Sequence, residues 1–136
     1  MNRSEARELM MQLLFQMEAQ NEYSFEMKEK FLQDKKDMKV QRNYFDRLFD
    51  MIVKNKDEID RMIDESSVNW KISRMNKVDL AISRLASAEM LYMEDIPASV
   101  AINEAIILAK KFGTEDSSKF INGILGKVAG KAAEAQ

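Results

Sequence analysis

The chain contains no cysteine and no histidine. Without cysteine there is no disulfide framework, no thiolate nucleophile and no zinc site built on sulfur. Without histidine the commonest general base and the commonest metal ligand are both missing. Only one proline and four glycines interrupt 136 residues, and 46% of the side chains are apolar. Such a composition points to a compact, helix-rich chain and away from disorder. No apolar run approaches the ~20 residues of a membrane span. The start, MNRSEARELM, lacks the basic-then-apolar order of a signal peptide. These absences read as a soluble cytoplasmic protein. It forms one domain, or two small subdomains (about 1–67 and 68–136) sharing a core, and is long enough to bury roughly two-thirds of its unfolded surface.

Catalysis is hard to build from what remains. Asp57 with Asp60, and Asp60 with Asp64, share a helix face, but they sit among lysines and read as solvated. A ferritin-like metal site needs Glu-x-x-His, which this chain cannot supply. The string GILGKVAG continues a helix and does not follow a strand, so it is no phosphate loop. No enzyme activity, metal or cofactor is expected.

Charge is nearly balanced, with a net of −2, so the whole molecule is no electrostatic magnet for nucleic acid. Its distribution is uneven. Residues 1–70 carry 12 basic and 15 acidic side chains, residues 71–136 carry 9 and 8, and the stretch from Lys110 to Lys131 has five lysines against Glu115 and Asp116. On composition alone this modest patch reads as a solvated helix face. Arg3 and Arg7, at i and i+4, share a face that could meet RNA phosphates, but Glu5 and Glu8 stand beside them. From the residues alone, a protein-interaction module comes ahead of an RNA binder.

Periodicity predicts helices throughout and no strand. The first runs from Ser4, as N-cap, to about Gln20 with Leu9, Leu13 and Met17 as its stripe. Ser24 caps a second, with Phe25, Phe31 and Leu32 buried, and residues 33–39 form a charged loop. A third carries Val40, Tyr44, Leu48 and Ile52, breaks near Asn55 and resumes with Ile59, Met62 and Ile63. A turn at 66–69 precedes Trp70. Asn76 and Asp79 form a near capping box for a helix with Val78, Ile82, Leu85 and Met90 inward, ended before Pro97. The eleven methionines mostly fall at core spacing, a better fit to core filling than to an adaptable surface.

The C-terminal stretch is the most distinctive. Ile102, Ala105, Ile106 and Ala109 form one apolar stripe, and Phe120, Ile121, Ile124, Leu125 and Val128 another. The polar joint KKFGTEDSSKF between them predicts a helical hairpin. Gly113 is expected to take positive φ after the first helix, and Thr114, Asp116 or Ser117 to cap the second. Gly123, inside the second helix, is expected to permit close helix packing, so that Gly123→Leu would lower the melting temperature.

The string VAINEAIILAKKFGTEDSSKFINGIL resembles the C-terminal signature of the NusB family of bacterial transcription antitermination factors. ARELMMQLLFQME resembles the family's first helix, and WKISRMNKVDLAISRLASAEML its central pattern of an aromatic, an Arg-hydrophobe pair, then Asp and Arg before a closing Glu. The resemblance implies about seven helices in two packed subdomains and no enzymatic activity. It implies pairing with NusE, a small-subunit ribosomal protein, binding to boxA RNA of nascent ribosomal transcripts, and entry into an RNA polymerase antitermination complex. The family includes monomers and dimers, so a homodimer stays open. A NusB-like domain of the kind fused to ribosomal RNA methyltransferases, or a helical module with no RNA role, are the alternatives.

Carried over by position, the resemblance puts Arg3, Arg7, Phe15, Asp116, Ser117, Lys119, Phe120 and Asn122 near RNA. It puts Trp70, Asp79 and Arg84 on the partner-binding surface. Periodicity alone makes Phe120 a core residue. Ser4 and Glu5 stand where relatives are often basic, so this chain is expected to lean on its partner for RNA affinity. Arg7→Glu is expected to weaken RNA binding and leave the fold intact.

Overall fold

The computed structural model describes residues 1–35, 37–68 and 71–134. Among them are seven α-helices and no strand: α1 (Arg3–Gln20), α2 (Phe25–Leu32), α3 (Arg42–Lys54), α4 (Lys56–Ser66), α5 (Lys77–Tyr92), α6 (Ala98–Phe112) and α7 (Ser117–Glu134). A single 3₁₀ turn, Ile72–Arg74, leads into α5.

The start of α1 lies two residues before the expected cap. Asn2 accepts the Glu5 N–H while Glu5 accepts the Asn2 N–H, a complete capping box. Ser4 is therefore inside the helix, and its hydroxyl donates to Glu104 Oε1 at 2.7 Å. Ser24 caps α2 as expected, accepting from Met27 N at 3.2 Å. The break at Asn55 is also as expected, its side chain donating to the Met51 carbonyl at 2.9 Å. Two residues taken for core are not: Phe25 is 62% and Val40 80% exposed. Val40 precedes α3 instead of belonging to it, so its place in the spacing of four carries no packing. None of the eleven methionines is exposed, in keeping with core filling.

The molecule is arranged around α5, which packs against α1, α3, α4, α6 and α7. Every residue from Asp79 to Glu89 is buried. A helix buried on all sides is ordinarily apolar all round. This one is instead built of small residues (Ala81, Ser83, Ala86, Ser87, Ala88) that let several neighbours come close. Two of its three buried charged residues, Arg84 and Glu89, receive oppositely charged partners. Arg84 makes a two-pronged pair with Asp60, Nε to Oδ1 and Nη2 to Oδ2, both 2.8 Å, and its Nη1 donates to Glu18 Oε1 at 2.6 Å. Glu89 accepts from Arg7 Nε at 3.0 Å and from the Tyr44 hydroxyl at 2.5 Å. Burial pushes the Glu89 carboxyl above its usual pKa, against the hydrogen bond from Tyr44 and the charge of Arg7. Through these two networks α1 is tied to α5 near both of its ends.

Two parts of the expected hairpin are corrected. The buried face of α6 is Ala101, Ala105, Leu108 and Ala109, with Ile102 and Ile106 only half-buried. The small residues take most of the buried face, and the two isoleucines stand at its edge. Gly113 has φ −88 and ψ −172, extended backbone open to any residue, so positive φ is not its reason.

Candidate nucleic-acid and partner interface

Three segments converge beside the N-terminus of α7: the 3₁₀ turn, the first turn of α5, and the joint between α6 and α7. Together they line an open cleft of ≈ 280 Å³ with Arg74, Asn76 and Asp79 on one side and Thr114, Ser117 and Phe120 on the other. Asn76 caps α5, accepting the Asp79 N–H at 2.8 Å while its amide donates to Asp79 Oδ2 at 3.1 Å. Those contacts fix the Asp79 carboxyl against the cleft. Its other oxygen, Oδ1, is buried with no hydrogen-bond partner among the described residues. A buried acceptor left unpaired costs about 1–3 kcal/mol, so a donor from outside would be bound with advantage.

The joint is braced from within. Ser117 Oγ accepts the Thr114 N–H at 2.9 Å and lies 3.1 Å from Thr114 Oγ1. A Cβ added to Gly113 would fall 2.5 Å from Ser117 Oγ and 2.7 Å from the Ala109 carbonyl oxygen. Gly113 is thus required by close approach, and it lets the chain turn tightly enough to bring Asp116 and Phe120 beside Asp79.

Arg74 lines this cleft, and other cations stand on the same segments and along α7. Lys71, Arg74, Lys77, Lys119 and Lys127 are exposed, and among the described residues none has an ion pair. Elsewhere three exposed basic groups are matched, Arg61 with Glu58 and Glu65, Arg47 with Asp95 and Lys111 with Glu8, while Arg3, Lys30, Lys39, Lys54 and Lys110 have no ion pair among the described residues. The nearby acids are Asp79, Glu115 and Asp116. An anionic polymer would therefore find several uncompensated cations here, besides the single ones scattered over the rest of the surface.

The NusB family model matches residues 4–130. The chain belongs to the NusB family. The transcription antitermination protein NusB of Alkaliphilus oremlandii is 43% identical over 127 residues, covering 93% of this chain and 92% of its own length. Among solved structures, T. maritima NusB is 34% identical with a TM-score of 0.86, covering 98% of both chains. A solved complex described as antitermination factors NusB and NusE with dsRNA contains a chain 25% identical, with a TM-score of 0.85 and coverage of 95% and 96%.

The structure brings some of the expected NusB site residues together and removes others. Asp79, Asp116, Ser117 and Phe120 meet at the cleft, and exposed Lys119 and Asn122 follow on α7. Ser117 is buried and braces the joint, so it positions the site from below. Phe120 is half-buried and lines the cleft, an intermediate between core and contact. Arg3 is exposed, donates to Gln41 Oε1 at 2.7 Å and stacks 4.0 Å from the Tyr44 ring centroid. Phe15 is 40% exposed. It shares a stripe of α1 with Ser4 and Glu8, which bond to α6 through Glu104 and Lys111.

Two expectations do not survive. Arg7 is buried, held by Glu89 and, at 3.4 Å, by Glu104, so it presents no cation to RNA. Arg84 is likewise buried within its carboxylate pairs and holds α4, α1 and α5 together instead of facing a partner. Trp70 lies outside the described residues. Sequence reasoning missed Lys71, Arg74, Lys77 and Lys127. The signal was present in the spacing of basic residues just before α5, but the cations become one group only when the 3₁₀ turn folds beside α7.

Proposed function

We propose that the chain is a non-catalytic transcription antitermination adaptor of the bacterial cytoplasm. It pairs with NusE and, with that partner, holds boxA RNA of nascent ribosomal transcripts within the RNA polymerase antitermination complex. The supporting observation is the pairing of two opposite needs at one joint. The Asp79 carboxylate, buried with one oxygen unsatisfied, suits a cation or N–H donor of a protein partner. The unmatched cations around it suit phosphates. The solved complex of NusB and NusE with dsRNA supports the same combination of partners. A sequence with neither histidine nor cysteine lacks the commonest general base and any thiolate nucleophile. In this reading Asp79 meets NusE, while Arg3, Phe15, Asp116, Lys119 and Asn122 lie along the RNA.

The test is fluorescence anisotropy with boxA and a scrambled RNA, with and without NusE, alongside calorimetry of NusE binding. Tighter boxA binding in the presence of NusE is expected, and Asp79→Lys is expected to lose NusE by at least tenfold. Equal affinity for the two RNAs in the presence of NusE would sink the reading.

A further inference from the structure

Beyond the Asp79 cleft, and sharing Asp116 and Phe120 with it, runs a second groove of ≈ 540 Å³. One wall is the end of α4 and the segment after it, Ser66 and Val68; the other is the outer face of α7. Three features of this groove bear on what could occupy it. Gly123 lies in mid-helix, where glycine is the poorest choice after proline, yet among the described residues a Cβ there would meet nothing within 4 Å. Its lack of a side chain serves no packing; it leaves the groove floor bare. Val68 is 75% exposed beside it, and Phe120 is half-buried, so the walls are flat and apolar. Ser66, itself buried, has a hydroxyl with no partner among the described residues.

Lys119 and Lys127 stand at the two ends, eight residues apart, or about 12 Å along the helix axis. Neither has an ion pair among the described residues, and Asp116 is the one carboxylate in the lining. Two cations against one anion favour a negatively charged occupant. A flat apolar floor favours a ring, and a buried hydroxyl favours something with a hydrogen-bonding edge. A nucleotide has all three properties.

We propose that this groove seats one unstacked base of the bound RNA. The ring lies over Gly123 and against Phe120, its edge meets Ser66 Oγ, and the flanking phosphates are held by Lys119 and Lys127. The proposal rests on the RNA-binding reading above and adds where one nucleotide goes.

Gly123→Leu tests it, because leucine fills the groove from a position that touches no neighbour. Gly123→Ala controls for the backbone. In the complex of the full chain with NusE, Gly123→Leu is expected to weaken boxA binding at least tenfold, and Gly123→Ala less than threefold. NusE binding measured without RNA is expected to stay the same in both. Lys127→Ala is expected to reduce the slope of log affinity against log salt by about 0.7, the single-strand value for one phosphate. Unchanged boxA affinity in Gly123→Leu overturns the seat and leaves the RNA-binding reading standing. Loss of NusE binding in that variant also overturns it, by making the groove a protein contact. A wild-type pair that does not distinguish boxA from scrambled RNA removes the underlying reading, and the seat with it. Circular dichroism melts establish that each variant folds; should Gly123→Leu not fold, Lys127→Glu on the surface takes its place, with the same tenfold loss expected.

Discussion

Arg7 and Arg3 are four residues apart on one helix and do different work. Helical spacing puts them on adjacent turns, and nothing in that spacing says which side of α1 meets α5. Glu89, the residue that captures Arg7, is 82 positions away. The local acids Glu5 and Glu8 look like its partners in the sequence and are not. Buried charge pairs of this kind are the least legible feature of the chain, because the partner is chosen by tertiary packing. Arg7→Glu would set a third carboxylate against Glu89 and Glu104. Breaking such a buried pair costs about 3–5 kcal/mol, so urea denaturation is expected to show a severely destabilised or unfolded protein. Arg3→Ala leaves the fold intact and is the correct probe of the N-terminal contact with RNA, read by anisotropy against wild type. The Arg84 network has a pH signature. Burial works against the Glu18 carboxylate, but hydrogen bonds from Arg84 and Tyr23 and the charge of Arg84 outweigh it and hold its pKa below the usual range. A carboxyl depressed in the folded state contributes stability that is present above its unfolded pKa, ~4.3, and is lost as pH falls through the lower, folded value. Melting temperature is therefore expected to drop on acidification below about pH 4.3, and Glu18→Gln to flatten part of that drop. Glu89, with its raised pKa, works in the opposite sense and softens the loss.

At the level of elements the sequence was more informative. All seven helices, the Asn55 break, the Ser24 and Asn76 caps and the α7 stripe follow from periodicity and capping chemistry. The misjudged face of α6 has one cause. A period of 3.6 finds large apolar residues, but α5 and α6 bury small ones. Ala101 and Ala105 are buried and Ile102 and Ile106 only half-buried, because tertiary packing decides which side of α6 meets its neighbours. The glycines show the same limit from both sides. Gly113 and Gly123 are alike in sequence terms, yet one is crowded and the other open. Gly113→Ala is expected to cost about 1–3 kcal/mol by overpacking against Ser117 and the Ala109 carbonyl, measured as a lower denaturation midpoint. Because Ser117 would have to move, the same variant is expected to loosen the cleft and weaken NusE binding.

For the molecule as a whole, what matters is where charge is left over. Among the cations of α1 and of the C-terminal stretch, Arg7 and Lys111 are already paired. Arg3, Lys110 and Lys119 stay unmatched among the described residues, joined by Lys71, Arg74, Lys77 and Lys127, in a molecule whose net charge is −2. A chain with few available phosphate contacts binds RNA weakly alone. Each phosphate neutralised adds about −0.7 to the salt slope for a single strand. The free chain is therefore expected to show a shallow slope and low affinity, and the pair with NusE a steeper slope, in anisotropy titrations at several salt concentrations.

The double anchoring of α1 to α5 also bears on how the protein is made. Arg7 emerges early in synthesis, but the carboxylate that neutralises it is added 82 residues later. At ~5–20 residues per second that delay is roughly 4–16 s. Through that interval α1 carries an unmatched arginine and the bare faces of Met10, Leu13, Leu14 and Met17. It reaches its final environment only after α5 has been made, so a helix made well before α5 waits on it to be covered.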